Sequence, residues 1–229
     1  YGKVSNKVEL KLKSAYKNYL ENTSNKYSKT KSFFIRDHPI SLNEYYVPIG
    51  IGCQKIRLDD PSFYNCIKDS IHLVITGLGG SGKSVLMRHL FLNCIRDRNY
   101  VPIYIELRDV KAGENLEKLS YNVLSQFGFD LSEKYFESAM ECGHFAFLFD
   151  GFDEVEHSLR NELIESIKSI TNKYKKCPII ISSRPEEVFY GLNEYNIFSV
   201  LPLNLEKATT LVDRLPYDIE IKDKFIKKL

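Results

Sequence analysis

Residues Gly77 to Ser84 read Gly-Leu-Gly-Gly-Ser-Gly-Lys-Ser, a complete G-x-x-x-x-G-K-S octapeptide between the apolar run His72–Thr76 and the amphipathic stretch Val85–Cys94. Four glycines at a strand-to-helix junction make a loop that turns its amide N–H groups inward without side-chain collision, while the N-terminus of the following helix adds positive potential. Such a loop is a phosphate cradle, and its position between a strand pattern and a helix pattern argues against an ordinary glycine turn. The expected phosphate-binding set is Gly77, Leu78, Gly79, Gly80, Ser81, Gly82, Lys83, Ser84 and Val85. In this pattern Lys83 meets the β- and γ-phosphates and the Ser84 hydroxyl meets Mg²⁺.

From residue 71 onward, strand-like apolar runs alternate with helical patterns. Ile71–Thr76, Val101–Leu107, His144–Phe149, Pro178–Ser183 and Phe198–Leu203 are five expected buried strands, separated by helices near 84–97, 115–127, 132–141 and 158–174. Alternation of this kind means a parallel sheet covered on both faces. The expected fold is therefore an α/β P-loop NTPase, with a parallel five-stranded sheet between helices and an N-terminal helical extension. In the helix at 158–174, Leu159, Leu163, Ile167 and Ile170 form one core-facing stripe, and Ser158 is a candidate N-cap.

Upstream, Val4, Val8, Leu12, Ala15, Tyr19 and Leu20 recur at helical spacing and predict an amphipathic helix to about Tyr27. Its other face carries Lys3, Lys7, Lys11, Lys13 and Lys17, which read as a solvated face. Pro39, Pro48 and Pro61 make residues 28–70 irregular, with one or two short strands before the core and an extended Tyr46-Val47-Pro48-Ile49. The resulting division is 1–30 helix and linker, 31–70 pre-core segment, 71–204 core, and 205–229 the start of a truncated helical domain. A helical pattern at Ile219–Leu229 that ends without a cap, and Tyr1 in place of an initiator Met, fit a fragment of something longer.

Thirty-two Lys and Arg against 30 Asp and Glu leave a net charge of +2, which gives no global argument for a nucleic-acid or acidic-membrane partner. Cys53, Cys66, Cys94, Cys142 and Cys177 form no C-x-x-C pair, and the histidines at 38, 72, 89, 144 and 157 show no ligand spacing; reduced structural thiols are expected. No apolar run approaches the ~20 residues that cross a bilayer. The expectation is a cytoplasmic chain with no membrane partner and no direct nucleic-acid site.

Two further strand ends carry chemistry. Phe145–Phe149 runs into Asp150-Gly-Phe-Asp153-Glu154, and carboxylates at the carboxyl end of a buried strand face the crevice of a doubly wound sheet. Asp150 is the expected partner of Mg²⁺ beside Ser84, and Asp153 and Glu154 the expected water-activating or water-orienting residues. Three carboxylates within five residues repel one another unless a cation or positive partner intervenes. One strand later, Pro178-Ile-Ile-Ile-Ser-Ser ends at Arg184-Pro185. A fixed guanidinium there suits contact with γ-phosphate oxygens.

Taken together, Gly77–Ser84, Asp150-Gly151-Phe152-Asp153-Glu154 and Ser183-Arg184-Pro185 resemble the NACHT family of STAND NTPases in order and spacing. Motor-type P-loop ATPases place Glu directly after the metal Asp, whereas NACHT domains have a small residue there and acids three positions on, as at Gly151 and Asp153-Glu154. Val101-Pro-Ile-Tyr-Ile-Glu-Leu-Arg108 is similar to the family's second strand, and Tyr46-Val47-Pro48 to bacterial members; the likeness covers roughly 35–215.

The resemblance implies a switch. Such proteins rest with ADP, exchange it for ATP when a sensor domain meets its trigger, and self-associate to activate an effector domain, in bacteria usually in anti-phage defence. It also implies ATP/ADP and Mg²⁺ as cofactors: Lys83 and the loop amides on the phosphates, Ser84 and Asp150 on Mg²⁺, Asp153 and Glu154 on the attacking water, and Arg184 on the γ-phosphate. Sensor and effector domains would lie outside this stretch. The family's Gly-x-Pro adenine contact and nucleotide-contacting histidine are not evident, since Pro216 lacks the glycine. Two other readings remain: a motor or loader ATPase of the AAA+ type, and a non-hydrolysing nucleotide-binding assembly scaffold.

Overall fold

The computed structural model describes residues 6–32, 35–54, 56–129 and 132–227. Lys3, Val4 and Leu229 lie outside them, as do the side chains of Lys7, Val8, Lys11, Leu12, Lys13 and Ala15. Helix α1 (Asn6–Tyr27) leads into an antiparallel hairpin, β1 (Lys29–Ser32) and β2 (Ile35–Ser41). The short α2 (Leu42–Tyr45) follows, and then an extended stretch through Pro48, where proline geometry holds the backbone open. Strands β3 (Ile51–Cys53) and β4 (Ile56–Leu58) and helix α3 (Phe63–Ile67) precede β5 (His72–Thr76). After it come α4 (Lys83–Asp97), β6 (Val101–Glu106), α5 (Leu116–Gln126), α6 (Glu133–Glu141), β7 (Phe145–Asp150), α7 (Arg160–Lys173), β8 (Ile179–Ser183), β9 (Asn196–Val200), α8 (Leu205–Arg214) and α9 (Ile219–Ile226).

Among the described residues the main sheet has seven strands in the order β4-β3-β9-β5-β8-β7-β6. Five are parallel, and they are the five expected from sequence, with the last displaced to Asn196–Val200. The expected five-stranded parallel sheet is corrected to a mixed one, because β3 pairs antiparallel with both β9 and β4. Strand β7 also runs one residue further than expected and includes Asp150.

Period-two alternation sorts the strands' side chains onto two cores. Phe145, Phe147 and Phe149 face one layer with Ile103, Ile105, Ile179 and Ile181, under α5, α6 and α7. Ala146, Leu148, Tyr104, Ile180, Leu73 and Ile75 face the other, under α4. Leu163, Ile167 and Ile170 supply the expected stripe of α7, with Leu159 half-buried beside it. Ser158 does not cap that helix: its hydroxyl donates to Glu156 at 2.6 Å, and a turn of 3₁₀ helix precedes Arg160. Asn115 does cap α5, its Oδ1 accepting from the amides of Glu117 and Lys118.

Helix α1 wraps the β6 edge. Tyr16 packs against Phe129 and Phe145 in the first core, the Tyr19 hydroxyl donates to the Pro102 carbonyl at 2.7 Å, and Tyr27 lies in the second core against Phe91 and Tyr104. An edge strand exposes unpaired carbonyls, and the buried tyrosine satisfies one of them where a proline already blocks further pairing. No described helix is long and apolar enough to cross a membrane.

At the opposite end of β5, the buried His72 ring stacks on Tyr195 at 5.2 Å, and its Nε2 has no hydrogen-bond partner among the described residues. Burial lowers its pKa, with Glu194 opposing the shift. The folded chain therefore keeps His72 neutral, while the unfolded chain protonates it below about pH 6.5. Its stability contribution is present above that value and is lost as pH falls towards the lowered folded pKa. Urea unfolding should show a smaller free energy at about pH 5.5 than at about pH 7.5. His72→Phe should narrow that gap.

Candidate phosphate-binding site

Strands β5 and β8 are neighbours, yet the chain leaves β5 towards β6 at one edge and leaves β8 towards β9 on the other side. This reversal opens a crevice at their carboxyl ends, where α/β sheets bind ligands. The Gly77 amide donates to the Ser183 carbonyl at 3.1 Å, which pins the start of the glycine loop to β8. Lys83, the first residue of α4, turns its ammonium back across the loop and donates to the carbonyls of Gly77 at 2.8 Å and Leu78 at 3.1 Å. Gly82 has φ +88°, and a Cβ there would stand 2.6 Å from Cδ1 of Ile49, so the extended segment before the core closes directly under the loop. A Cβ on Gly79 would lie 3.3 Å from Nη2 of Arg184, which places the guanidinium against the loop. Two of the predicted elements thus meet physically.

Asp150 ends β7 with 7% of its surface exposed. Its Oδ2 accepts from the Tyr104 hydroxyl at 2.7 Å and its Oδ1 from the Ser182 hydroxyl, which in turn accepts from the Gly151 amide at 2.9 Å. A buried carboxylate without donors would be costly. Each oxygen accepts one of these bonds and keeps a free lone pair, so the group suits a cation or its water.

Asp153 and Arg184 form one unit. Oδ1 accepts from the Arg184 amide at 3.0 Å and Oδ2 pairs with Nε at 2.9 Å, while the Asp153 side chain is 12% exposed. Arg160 of α7 braces the unit: its Nη2 donates to the Asp153 carbonyl at 2.6 Å, its Nε to the Val155 carbonyl at 3.0 Å, and its Nη1 to Glu186 at 2.8 Å. Glu154 differs, with a side chain 51% exposed and Arg108 Nη1 at 3.7 Å as its ion-pair partner. Arg108 also pairs with Glu106, which Arg88 of α4 approaches at 3.7 Å.

These strand ends line a cavity of about 870 Å³. The loop residues Leu78 to Val85, with Gly151, Asp153, Glu154, Ser182 and Arg184, form its polar side. Tyr46, Val47, Ile49, Leu201, Leu211 and Leu215 form an apolar side drawn from the segment before the core and from the chain after β9. A polar cradle beside an apolar slot suits a ligand with a phosphate chain and a planar ring. Gly77 borders the loop through its carbonyl and amide; Asp150 lies behind Ser182 and Gly151.

Sequence reasoning did not single out Tyr104, Arg108 or Arg160. Tyr104 carried a signal: register pairs Glu106 with Asp150, so Tyr104 and Asp150 share a face, and a hydroxyl on that face can only be spent near the acid. Arg160, whose partners come from two different loops, had none.

The NACHT domain model matches residues 72–216. No curated protein sequence matches significantly. Solved structures similar to this chain include AMPPCP-bound DnaA from Aquifex aeolicus, at 14% identity over 72% of this chain and 55% of that one, TM-score 0.44. They also include a STAND protein with a tetratricopeptide repeat sensor from Pyrococcus horikoshii, at 18% identity over 72% of this chain and 26% of that one, TM-score 0.43. The chain thus spans about half the length of the DnaA structure and a quarter of the STAND protein.

The contact between Gly82 and Ile49 has a measurable consequence. Gly82→Ala must adopt a left-handed backbone and displace Ile49, and should cost about 1–2 kcal/mol in urea unfolding. The same variant should weaken ADP binding, measured by calorimetry, because the loop cannot keep its shape.

Proposed function

The chain belongs to the NACHT family, and from that premise we propose that it is the ATP/ADP-binding module of a STAND signalling ATPase, a switch that hydrolyses ATP slowly. The observation that carries this reading is the convergence of the glycine loop, Glu154 and the Asp153–Arg184 unit on one cavity, with Asp150 directly behind its Ser182 and Gly151 and the guanidinium against Gly79.

In this reading the loop amides and Lys83 bind the phosphate chain; Lys83 exchanges its two loop carbonyls for phosphate oxygens. Mg²⁺ would be held by Ser84 and Asp150 and, when bound, would neutralise charge on the phosphate oxygens. The donor set supports that fit, since Asp150 is buried and oriented by two hydroxyls. Glu154, the exposed acid, orients the attacking water. Asp153, whose two oxygens both serve Arg184, holds the sensor in place. The apolar side of the cavity takes the base.

The family resemblance extends the proposal to self-association in a longer protein carrying sensor and effector domains, and to bacterial antiviral defence in the cytoplasm. A motor or loader ATPase of the AAA+ type would instead show robust hydrolysis stimulated by DNA. An assembly scaffold would keep its signalling unchanged when Asp153→Asn and Glu154→Gln are introduced into the longer protein.

Calorimetry with ADP and Mg²⁺ is the direct test: Lys83→Ala should lose affinity by at least about tenfold, because a charge-assisted bond is removed. Unchanged affinity overturns the reading. Glu154→Gln should retain ADP binding while single-turnover ATP hydrolysis slows by about 10²–10⁴-fold, the range for a lost proton-handling group.

A further inference from the structure

Asp150 owes one of its two donors to a residue on the neighbouring strand, and that donor is itself held from outside the sheet. Tyr104, 1% exposed, donates to Oδ2. Its ring sits between Tyr27, the last residue of α1, at 4.6 Å, and Phe91 of α4 at 5.8 Å, and Tyr27 meets Phe91 at 4.9 Å. The three rings tie α1, the helix that follows the glycine loop, and β6 into one cluster beneath the acid. Burial first, and then the charge of Asp150, push the Tyr104 hydroxyl well above its ordinary range, so it remains a protonated donor.

We propose that Tyr104 is a positioning residue for Asp150, and that Tyr27 acts through it, so that the docking of α1 sets how well the site holds a divalent cation. This rests on the reading of Asp150 as a metal-site residue. A carboxylate on a single-bonded Cβ–Cγ axis has a soft terminal torsion and would sample many orientations unaided. Two donors on opposite oxygens fix its plane and leave one lone pair on each oxygen unused. Loss of one donor frees the torsion and leaves the burial uncompensated. Removal of such an orienting partner in metal sites costs about 10–100-fold in metal affinity. The route from α1 is short: a change in the docking of Tyr27 reaches the carboxylate through one ring and one hydrogen bond.

The test is ADP binding by calorimetry on the full chain, with Mg²⁺ titrated and with EDTA as the metal-free reference. Tyr104→Phe keeps the ring in its cluster and should raise the Mg²⁺ concentration at half-saturation by about tenfold or more, with the EDTA affinity unchanged. A residue with only a structural role would move both affinities together, or neither. Tyr27→Leu should shift the Mg²⁺ dependence in the same direction by less, and should add nothing to Tyr104→Phe in the double variant. An unchanged Mg²⁺ midpoint in Tyr104→Phe overturns the proposal, and additive shifts overturn the role of Tyr27. Asp150→Asn separates the premises: if it leaves the Mg²⁺ midpoint unmoved, the metal reading of Asp150 fails and this proposal with it. If Asp150→Asn moves the midpoint and Tyr104→Phe does not, only the positioning role fails.

Discussion

A carboxylate buried at the end of an all-apolar strand is the constraint around which this crevice is built. Strand β7 is buried from Phe145 to Asp150, and five apolar side chains drive it into the sheet between β6 and β8 before the acid arrives. Desolvating that charge is tolerable only with donors on both oxygens. One comes from β6 and one from β8, so the two strands flanking β7 must hold their registers. Register in turn depends on which face each side chain buries, since a slip of one residue would send Tyr104 and Ser182 to the wrong layer. The two hydrophobic cores therefore align the polar site, and Tyr104, a member of the second core, supplies one of its donors.

Beyond Asp150 the charges are arranged in opposed pairs, and their exposure decides what each can do. Asp153 is largely shielded and committed to Arg184, whose own side chain remains 63% exposed. An exposed partner makes such a pair weak as a source of stability. As a geometric device it is stronger, because the backbone amide and Nε of Arg184 bind the two oxygens of one carboxylate while Nη2 lies against Gly79 of the loop. The charge repulsion expected among Asp150, Asp153 and Glu154 is thus met separately at each: by hydroxyls, by Arg184 and by Arg108.

The backbone motifs were legible because their meaning is local. Four glycines in six residues (Gly77–Gly82), an acid at the end of an apolar run, and Arg-Pro after a β-branched run each dictate a strand end regardless of context. The five parallel strands were legible for the same reason. Short strands were expected before the core but not placed: β3 and β4, three residues each, are too short for periodicity to locate, and they exist because β9 offers β3 an edge and β3 in turn pairs β4. Ser158 failed as a cap because Glu156 competes for its hydroxyl, a side-chain choice that spacing cannot reveal. The pairing of Asp153 was hidden for a similar reason, since its carboxylate looks free in the sequence and is bonded to Arg184 in the fold.

A ligand can bias a conformational equilibrium only through a difference in its contacts with the two states. ATP and ADP differ at the γ-phosphate, so in the proposed function the discriminating contacts must lie where that group would sit. Arg184 lies against Gly79 of the loop with a braced backbone, and its support runs through Asp153 to Arg160 on α7. A sensor mounted on a surface loop without this brace could follow either nucleotide and would report neither. In the proposed switch such bracing would make the response discrete, since Asp153, Arg184 and Arg160 are bonded into one unit. Under that proposal, the contacts that would recognise a third phosphate are the same contacts that would transmit its loss.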